Sequence, residues 1–555
     1  MATISNASPS ERTYKSPIST PKTLSYDTTC SEEDLKPADP ESDSIEAVCQ
    51  LAKLAIEESL DPTGNSRPDD PPILTIPFEI AAEIFIFYTN VNSTPLDYPA
   101  RLKSTKSPPF LLAAVCKTWR EIALSTPRLW TTVNIFISSI ANVPLLTELA
   151  LDCMSRSGQL PLTVSITAPA TVTKLDRSIR QRVLALFDVI GRFSSRWYRL
   201  VLCIRPDLYE DFTDALGCMP LLEDLRLTPV VAQERSCVSD FCLLEAPRLK
   251  HLELSRLFLH KVQIPVHNLT SLEVHAVYIN EMLELLKSAP HLIVVKFSLI
   301  FDVVEDSYPL PAGPLTHYSL RHLDIRPQRS IFNVDLPVFL HKIVLPSLES
   351  FVYHSRRDTP VDGFISLFAR SRCLITTFEI LIPEEAEPIH GSTEGDLVRL
   401  LEGIPTITHL TISLLARLKQ KHITDYFFGR FADTPTFLPQ LEVLNFAGTR
   451  QFNWSSVANA LTNEKGRVIN ISVYPPTFSE SSTLSPQHGL SGLMSLATKN
   501  PRTTLTIVDY YSGKDIFNQD TTNASAMLPE IDVSNLMNLV AKNPWATLNI
   551  ADDHT

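Results

Sequence analysis

Residues 247–254 read Pro247-Arg248-Leu249-Lys250-His251-Leu252-Glu253-Leu254, and residues 267–274 repeat the figure as His267-Asn268-Leu269-Thr270-Ser271-Leu272-Glu273-Val274. Each holds an apolar residue, two others, a second apolar residue, one other, and a third apolar residue. In an extended chain successive side chains point to opposite faces. The last two apolar residues therefore share a face, the residue between them points away, and the first apolar residue anchors the incoming turn. A unit this short cannot bury its own apolar face, so neighbouring copies must stack to make a core.

The figure recurs on both sides. It stands at Trp197/Leu200/Leu202, Leu222/Leu225/Leu227, Leu249/Leu252/Leu254, Leu269/Leu272/Val274 and Leu292/Val295/Phe297. It continues at Leu320/Leu323/Ile325, Leu348/Phe351/Tyr353, Ile375/Phe378/Ile380, Ile407/Leu410/Ile412 and Leu441/Leu444/Phe446, in steps of 20 to 34 residues. Proline stands two residues before the first apolar position at Pro220, Pro247, Pro290, Pro346, Pro405 and Pro439. Ten such copies resemble leucine-rich repeats, and the resemblance implies an α/β solenoid over residues 134–449. The Asn or Cys usual in such repeats is missing, with Val230 and Leu257 at its place in two copies, so the expectation is an irregular solenoid without an Asn ladder. An ordinary α/β domain with Leu-rich strands is the alternative. Beyond Thr449 the figure blurs. Leu505/Ile507 and Trp545/Leu548/Ile550 each follow an Asn-Pro dipeptide, and residues 450–555 read as the end of the array or its cap.

In this register the middle residues Val201, Arg226, Glu253, Glu273, Lys296, Asp324, Val352, Glu379, Thr411 and Asn445 face the concave side of a solenoid. Concave solenoid faces commonly bind proteins. The candidates for holding a protein substrate are Arg226, Glu253, Glu273, Lys296, Asp324, Glu379 and Asn445; a solvated face without a partner has the same composition. The row contains no aromatic residue.

Ahead of the array, Ile76-Pro77-Phe78-Glu79-Ile80 opens an apolar helix running to about Tyr88, with proline at its start. A polar, proline-containing insertion covers 89–109. A second helical pattern runs from Phe110 to Ala123 and stops at Ser125-Thr126-Pro127, with Leu129-Trp130 just beyond. The ordered run I-P-x-E-I, E-I-F, L-L-x-x-V-C-x-x-W-R-x-I-A, S-T-P-R-L-W, between Pro71 and Trp130, resembles the F-box domain, most of all the F-box-like proteins expanded in basidiomycete fungi. It differs in having Ile76 where Leu is usual, and in the insertion. The resemblance implies a small helical domain over 73–133 that docks on a Skp-type adaptor through an apolar surface. Its interface candidates are Ile76, Pro77, Ile80, Ile84, Val115, Cys116 and Trp119, some of them shared with the domain's own core. With the array, the resemblance implies a substrate-recognition subunit of a cullin–RING (SCF-type) ubiquitin ligase. A repeat-built interaction scaffold without a ubiquitin role is the other reading.

Residues 1–72 carry 14 acids and 6 bases, with 18 Ser/Thr and 9 Pro, and read as a disordered acidic tail. Ser44 to Leu60 could form one helix, either a weak coiled coil or a short helix lying on the next domain. Ser8-Pro9, Ser16-Pro17 and Thr20-Pro21 could serve proline-directed kinases, an unmodified tail being the alternative. Of the net charge of −13, −8 lies in this tail, leaving −5 for the rest, so no basic nucleic-acid footprint is expected.

Catalytic patterns are missing. The 15 glycines contain no G-x-G and no phosphate loop, and the chain has neither H-E-x-x-H nor G-x-S-x-G. The 9 cysteines form no C-x-x-C, which fits reduced thiols, and no secretory leader opens the chain. His251, His275, His291, His322 and His409 are scattered beside the strand figures and read as structural or surface residues. The expectation is an intracellular, non-catalytic protein without cofactor, metal or membrane partner. A hydrolase or transferase would need an acid/base pair clustered in a pocket.

Overall fold

Leu200, Leu225, Leu252, Leu272, Val295, Leu323, Phe351, Phe378, Leu410 and Leu444 stand side by side, each hydrogen-bonded strand in register with the next. These are the second apolar positions of the ten sequence figures. The computed structural model describes residues 76–92, 108–137, 140–168, 177–230, 241–461 with short interior breaks (244, 305–307, 328–334, 355–358, 383–392, 415–422 and 450), 468–474 and 504–509. The tail reading, its helix at 44–60 and the Trp545 figure lie outside the described residues.

Among the described residues the main sheet has 14 strands, all parallel and in chain order. They are β1 (Thr132–Phe136), β2 (Leu162–Thr167), β3 (Trp197–Cys203), β4 (Asp224–Leu227), β5 (His251–Ser255), β6 (Ser271–Tyr278) and β7 (Val294–Phe301). There follow β8 (His322–Pro327), β9 (Ser350–His354), β10 (Thr377–Ile382), β11 (His409–Leu414), β12 (Val443–Thr449), β13 (Val468–Tyr474) and β14 (Thr504–Asp509). The sheet thus extends past the expected ten strands at both ends. Trp130/Val133/Ile135 is the same figure on β1, hidden because Trp130 also closes the helical pattern before it. Val164/Ile166 on β2 has no apolar anchor three residues earlier, and its register shifts at Leu162/Thr163. Ile469/Ile471 and Leu505/Ile507 continue both rows, so the array does not stop at Thr449.

Helices return the chain between strands: α4 (Val143–Arg156), α5 (Arg177–Gly191), α6 (Tyr209–Asp214), α7 (Ile279–Ser288) and α8 (Leu336–His341), then α9 (Val361–Ser371), α10 (Glu394–Glu402), α11 (Asp425–Asp433) and α12 (Trp454–Leu461). The apolar rows face these helices. Phe297 meets Phe339 of α8, Phe351 meets Phe364 and Phe368 of α9, and Phe187 of α5 meets Phe212 of α6. Every anchor residue from Trp197 to Leu441 is at most 3% exposed, so each copy completes its neighbour's core.

The prolines have a local role. Leu222, Leu249, Leu292 and Leu348 donate their N–H groups to Met219, Ala246, Ala289 and Leu345, closing turns with proline second. That position needs no N–H and takes proline's fixed φ. Among the described residues no Asn ladder runs along the array, and acids at helix N-termini join successive copies. Glu394, in the first turn of α10, accepts from Thr424 N–H (2.6 Å) and Phe427 N–H (3.2 Å) of α11. Asp425, opening α11, accepts from Asn453 N–H (2.7 Å) ahead of α12. Arginines serve the other ends: Arg196 donates to the carbonyls of Met154 in the last turn of α4 and of Leu160 beyond it, and Arg370 to those of Leu340 in the last turn of α8 and of Ile343 beyond it. Both devices satisfy the orphan groups of helix ends and complement the helix dipole.

The Leu320 copy lacks proline and uses a histidine. Leu320 N–H donates to Nδ1 of His317 (3.2 Å), and Nε2–H of the same ring donates to the Ala289 carbonyl (3.0 Å). The Leu320 contact needs Nδ1 unprotonated, and burial, with His291 nearby, holds the ring's pKa below the ordinary value against the pull of the Ala289 bond. Burial also lowers His322, which shares a hydrogen bond with Ser350 at 2.9 Å. As pH falls, the unfolded chain takes up these protons first. The stability they contribute is complete above about pH 6.5 and is lost as pH drops through their lower folded values. The melting temperature is expected to be lower at pH 5.5 than at pH 7.5, with a smaller difference in His317→Gln.

Ahead of the array stand α1 (Phe78–Asn92), α2 (Pro108–Val115) and α3 (Lys117–Ser125). The second helical pattern is therefore two helices, not one. Cys116 breaks it in an extended conformation (φ −152°, ψ 175°), with its Sγ accepting from Trp119 N–H at 3.4 Å. This thiol caps α3 as Ser or Asp commonly does. The described residues from Pro77 onward belong to one compact unit.

Candidate docking surfaces

Helix α1 separates its apolar residues by face. Ala81, Ala82, Phe85 and Ile86 are buried, and Phe85 lies against Trp119 of α3 with ring centroids 4.9 Å apart. Pro77, Ile80, Ile84 and Phe87, spaced three, four and three residues apart, form a stripe on the other side. Ile80, Ile84 and Phe87 are 53%, 49% and 70% exposed. Phe78 is exposed as well, and so are Val115 at the end of α2 and Leu124 in α3. An apolar stripe on a helix that already packs by its other face is the form a protein-docking site takes.

The seven expected interface residues therefore divide. Pro77, Ile80, Ile84 and Val115 are presented to solvent. Trp119 is half-buried against Phe85, Cys116 caps α3, and Ile76 is partly exposed immediately before Pro77. Phe87 was missed, although its place in the three–four spacing is visible in the sequence. Trp130 holds the segment to the array. It is 1% exposed, donates from Nε1 to the Ala123 carbonyl (2.8 Å), meets Phe110 edge-on and lies under the Arg156 guanidinium.

The second surface is the sheet face turned away from the helices. Register places Val201, Arg226, Glu253, Glu273, Lys296, Asp324, Val352, Glu379, Thr411 and Asn445 in one unbroken row across β3–β12. Arg226 pairs with Glu253 (3.3 Å) and Asp224 (3.5 Å), and Lys296 pairs with Glu273 (3.5 Å). A hydrogen bond from His275, with help from Lys296, holds the Glu273 carboxyl down at about 2 against its burial. Asp324 is only 2% exposed, covered by Arg326 (2.6 Å) and His354 (3.9 Å). Asn445 donates to Thr411 Oγ1 at 3.2 Å. Burial raises Glu253 and Glu379, and a neighbouring acid adds to each: Glu273 in the first case, Asp324 in the second. Four acids against two bases leave this row with a negative excess.

Aromatic residues lie beyond the row on the same face. Arg256, just past β5, and Ala276 and Leu299, on β6 and β7, have φ of 56°, 71° and 53° at the same level. Each left-handed residue absorbs one step of the strand alternation. Leu257, Val277 and Ile300 are then buried, while Phe258, Tyr278 and Phe301 turn to the open face, partly exposed. The three rings touch, with centroids 4.7 to 6.1 Å apart, and His260 stacks on Phe258. Strict alternation would have sent these rings inward, so sequence periodicity could not find them.

Among the described residues no group of three His, Cys, Asp or Glu side chains is arranged to hold a metal ion, and no helix is long and apolar enough to cross a membrane. The six described cysteines are free, and burial pushes Cys153, Cys203 and Cys373 up to about 11, far from nucleophilic thiolates. No protein-family model matches the chain, and no curated protein matches it.

Proposed function

We propose that this chain is a substrate-recognition subunit of a cullin–RING ubiquitin ligase, with an F-box-like helical segment that docks on a Skp-type adaptor and a repeat array that holds a protein substrate. The observation that carries the reading is the exposed stripe Pro77–Ile80–Ile84–Phe87 on a helix whose other face is fully used by its own core. The ordered F-box-like residues around that stripe supply the partner's identity, and the parallel array behind Trp130 supplies a long surface for a second protein. Val115, Leu124 and Phe78 add apolar area, which a stable interface of roughly 800 Å² per partner requires. In this role the chain works by positioning: it holds a substrate near the ubiquitin-carrying subunit, and the bond-making groups belong to other subunits. The place of action that goes with this reading is the cytoplasm or nucleus.

The full chain, mixed with purified Skp-type adaptor, cullin and RING subunit, should elute with them as one complex on size exclusion. Separate elution of a chain with a cooperative melt would overturn the proposal.

A further inference from the structure

We infer that a partner protein docks on the open sheet face at the Phe258–Tyr278–Phe301 row, and that the docked segment is basic with an aromatic or aliphatic anchor residue. The inference rests on reading the array as the substrate-holding half of the molecule and names the class of segment it takes. Three features converge on this spot.

The first is backbone geometry. Left-handed conformations are disfavoured at residues other than glycine, and Arg256, Ala276 and Leu299 adopt them side by side at the same level of three neighbouring chain segments. Their shared effect is to bring three aromatic rings to the outer face. The second is surface character. Aromatic side chains that remain partly exposed while packed on one another form a rigid patch, which binds with little loss of side-chain entropy. The third is charge. The row running beside the patch contains Glu253, Glu273, Asp324 and Glu379 against Arg226 and Lys296. Both bases are committed to acids within the face, at 3.3 and 3.5 Å. Glu379 faces Asp324 and shares with it the Arg326 guanidinium, and exposed Asp302 directly follows Phe301. Lys or Arg of a docked segment can pair with Glu379 or Glu253 and can also lie on the rings as a cation–π partner.

The test uses the full chain as bait for a phage-displayed library of random 12-residue peptides. Each enriched peptide is then titrated against wild type, Phe258→Ser/Phe301→Ser and Glu253→Gln/Glu379→Gln. The expected outcome is enrichment of net-positive peptides carrying an aromatic or large aliphatic residue. Their affinity should fall at least tenfold in the aromatic double variant and several-fold in the Glu→Gln variant. If the aromatic variant melts early, Tyr278→Ser and the Glu→Gln variant decide the matter. Failure to enrich any peptide, enrichment of acidic peptides, or binding that neither variant weakens would overturn the inference. Adaptor co-elution measured on the same variants should be unchanged; its failure in the wild type would count against the ubiquitin-ligase reading and leave the peptide result standing.

Discussion

Trp130→Ala is expected to remove about 3–5 kcal/mol of stability, the range for a large aromatic truncated in a filled core. Three losses add up at this residue. The ring is 1% exposed, so a cavity opens between α2 and the first strand of the array. The Ala123 carbonyl near the end of α3 loses its Nε1–H donor in a buried place. The Arg156 guanidinium, 5.5 Å from the ring centre, loses the face it covers and keeps only Asp152, at 2.7 Å. Trp130 is also the anchor of the β1 figure, so both the helical segment and the end of the sheet depend on it. The measurement is the denaturant midpoint of the variant against Leu149→Ala, a helical leucine that is 37% exposed and should cost far less. A Trp130→Ala midpoint no lower than that of Leu149→Ala would contradict the role assigned to the ring.

The second large effect concerns binding rather than stability. Ile80→Glu/Ile84→Glu places two carboxylates in the middle of the α1 stripe, where each side chain is about half exposed in the free chain. Folding should be little affected, since neither residue is part of the buried face formed by Ala81, Ala82, Phe85 and Ile86. In a docked complex the same carboxylates would be buried without partners, and affinity for the adaptor should drop at least 100-fold, which corresponds to about 2.7 kcal/mol. Trp119→Ala is the poorer probe, because Trp119 supports Phe85 and its loss would disturb α1 from within. Equal affinity of Ile80→Glu/Ile84→Glu and wild type would place the docking surface elsewhere.

The array was legible in the sequence where three apolar positions with fixed parity recur, because each figure records which residues enter the core. Ten strands followed from that spacing, and the row Arg226–Glu253–Glu273–Lys296 fell on one face as the alternation requires. Where one residue does two jobs the pattern disappeared: Trp130 closes the helical segment and opens β1. Where the backbone adds a step, as at Ala276, parity reverses and the Tyr278 side chain changes face. The split between α2 and α3 was hidden because a cysteine takes the capping place usually held by Ser, Thr, Asp or Asn. The covering of Asp324 depends on Arg326 two residues on and His354 on the next strand, a tertiary arrangement that no local spacing records. The stripe on α1 was half legible: the family resemblance carried it to Ile84, and the helical period alone extends it to Phe87.

The central claim is that the α1 stripe binds a Skp-type adaptor, and calorimetric titration of the full chain with the purified adaptor tests it most directly. The account predicts saturable one-to-one binding in the wild type, with a Kd of about 1 μM or tighter, and its loss in Ile80→Glu/Ile84→Glu at an unchanged melting temperature. A wild-type chain that melts cooperatively yet shows no binding at about 50 μM adaptor, above any Kd that would sustain a complex, would contradict it.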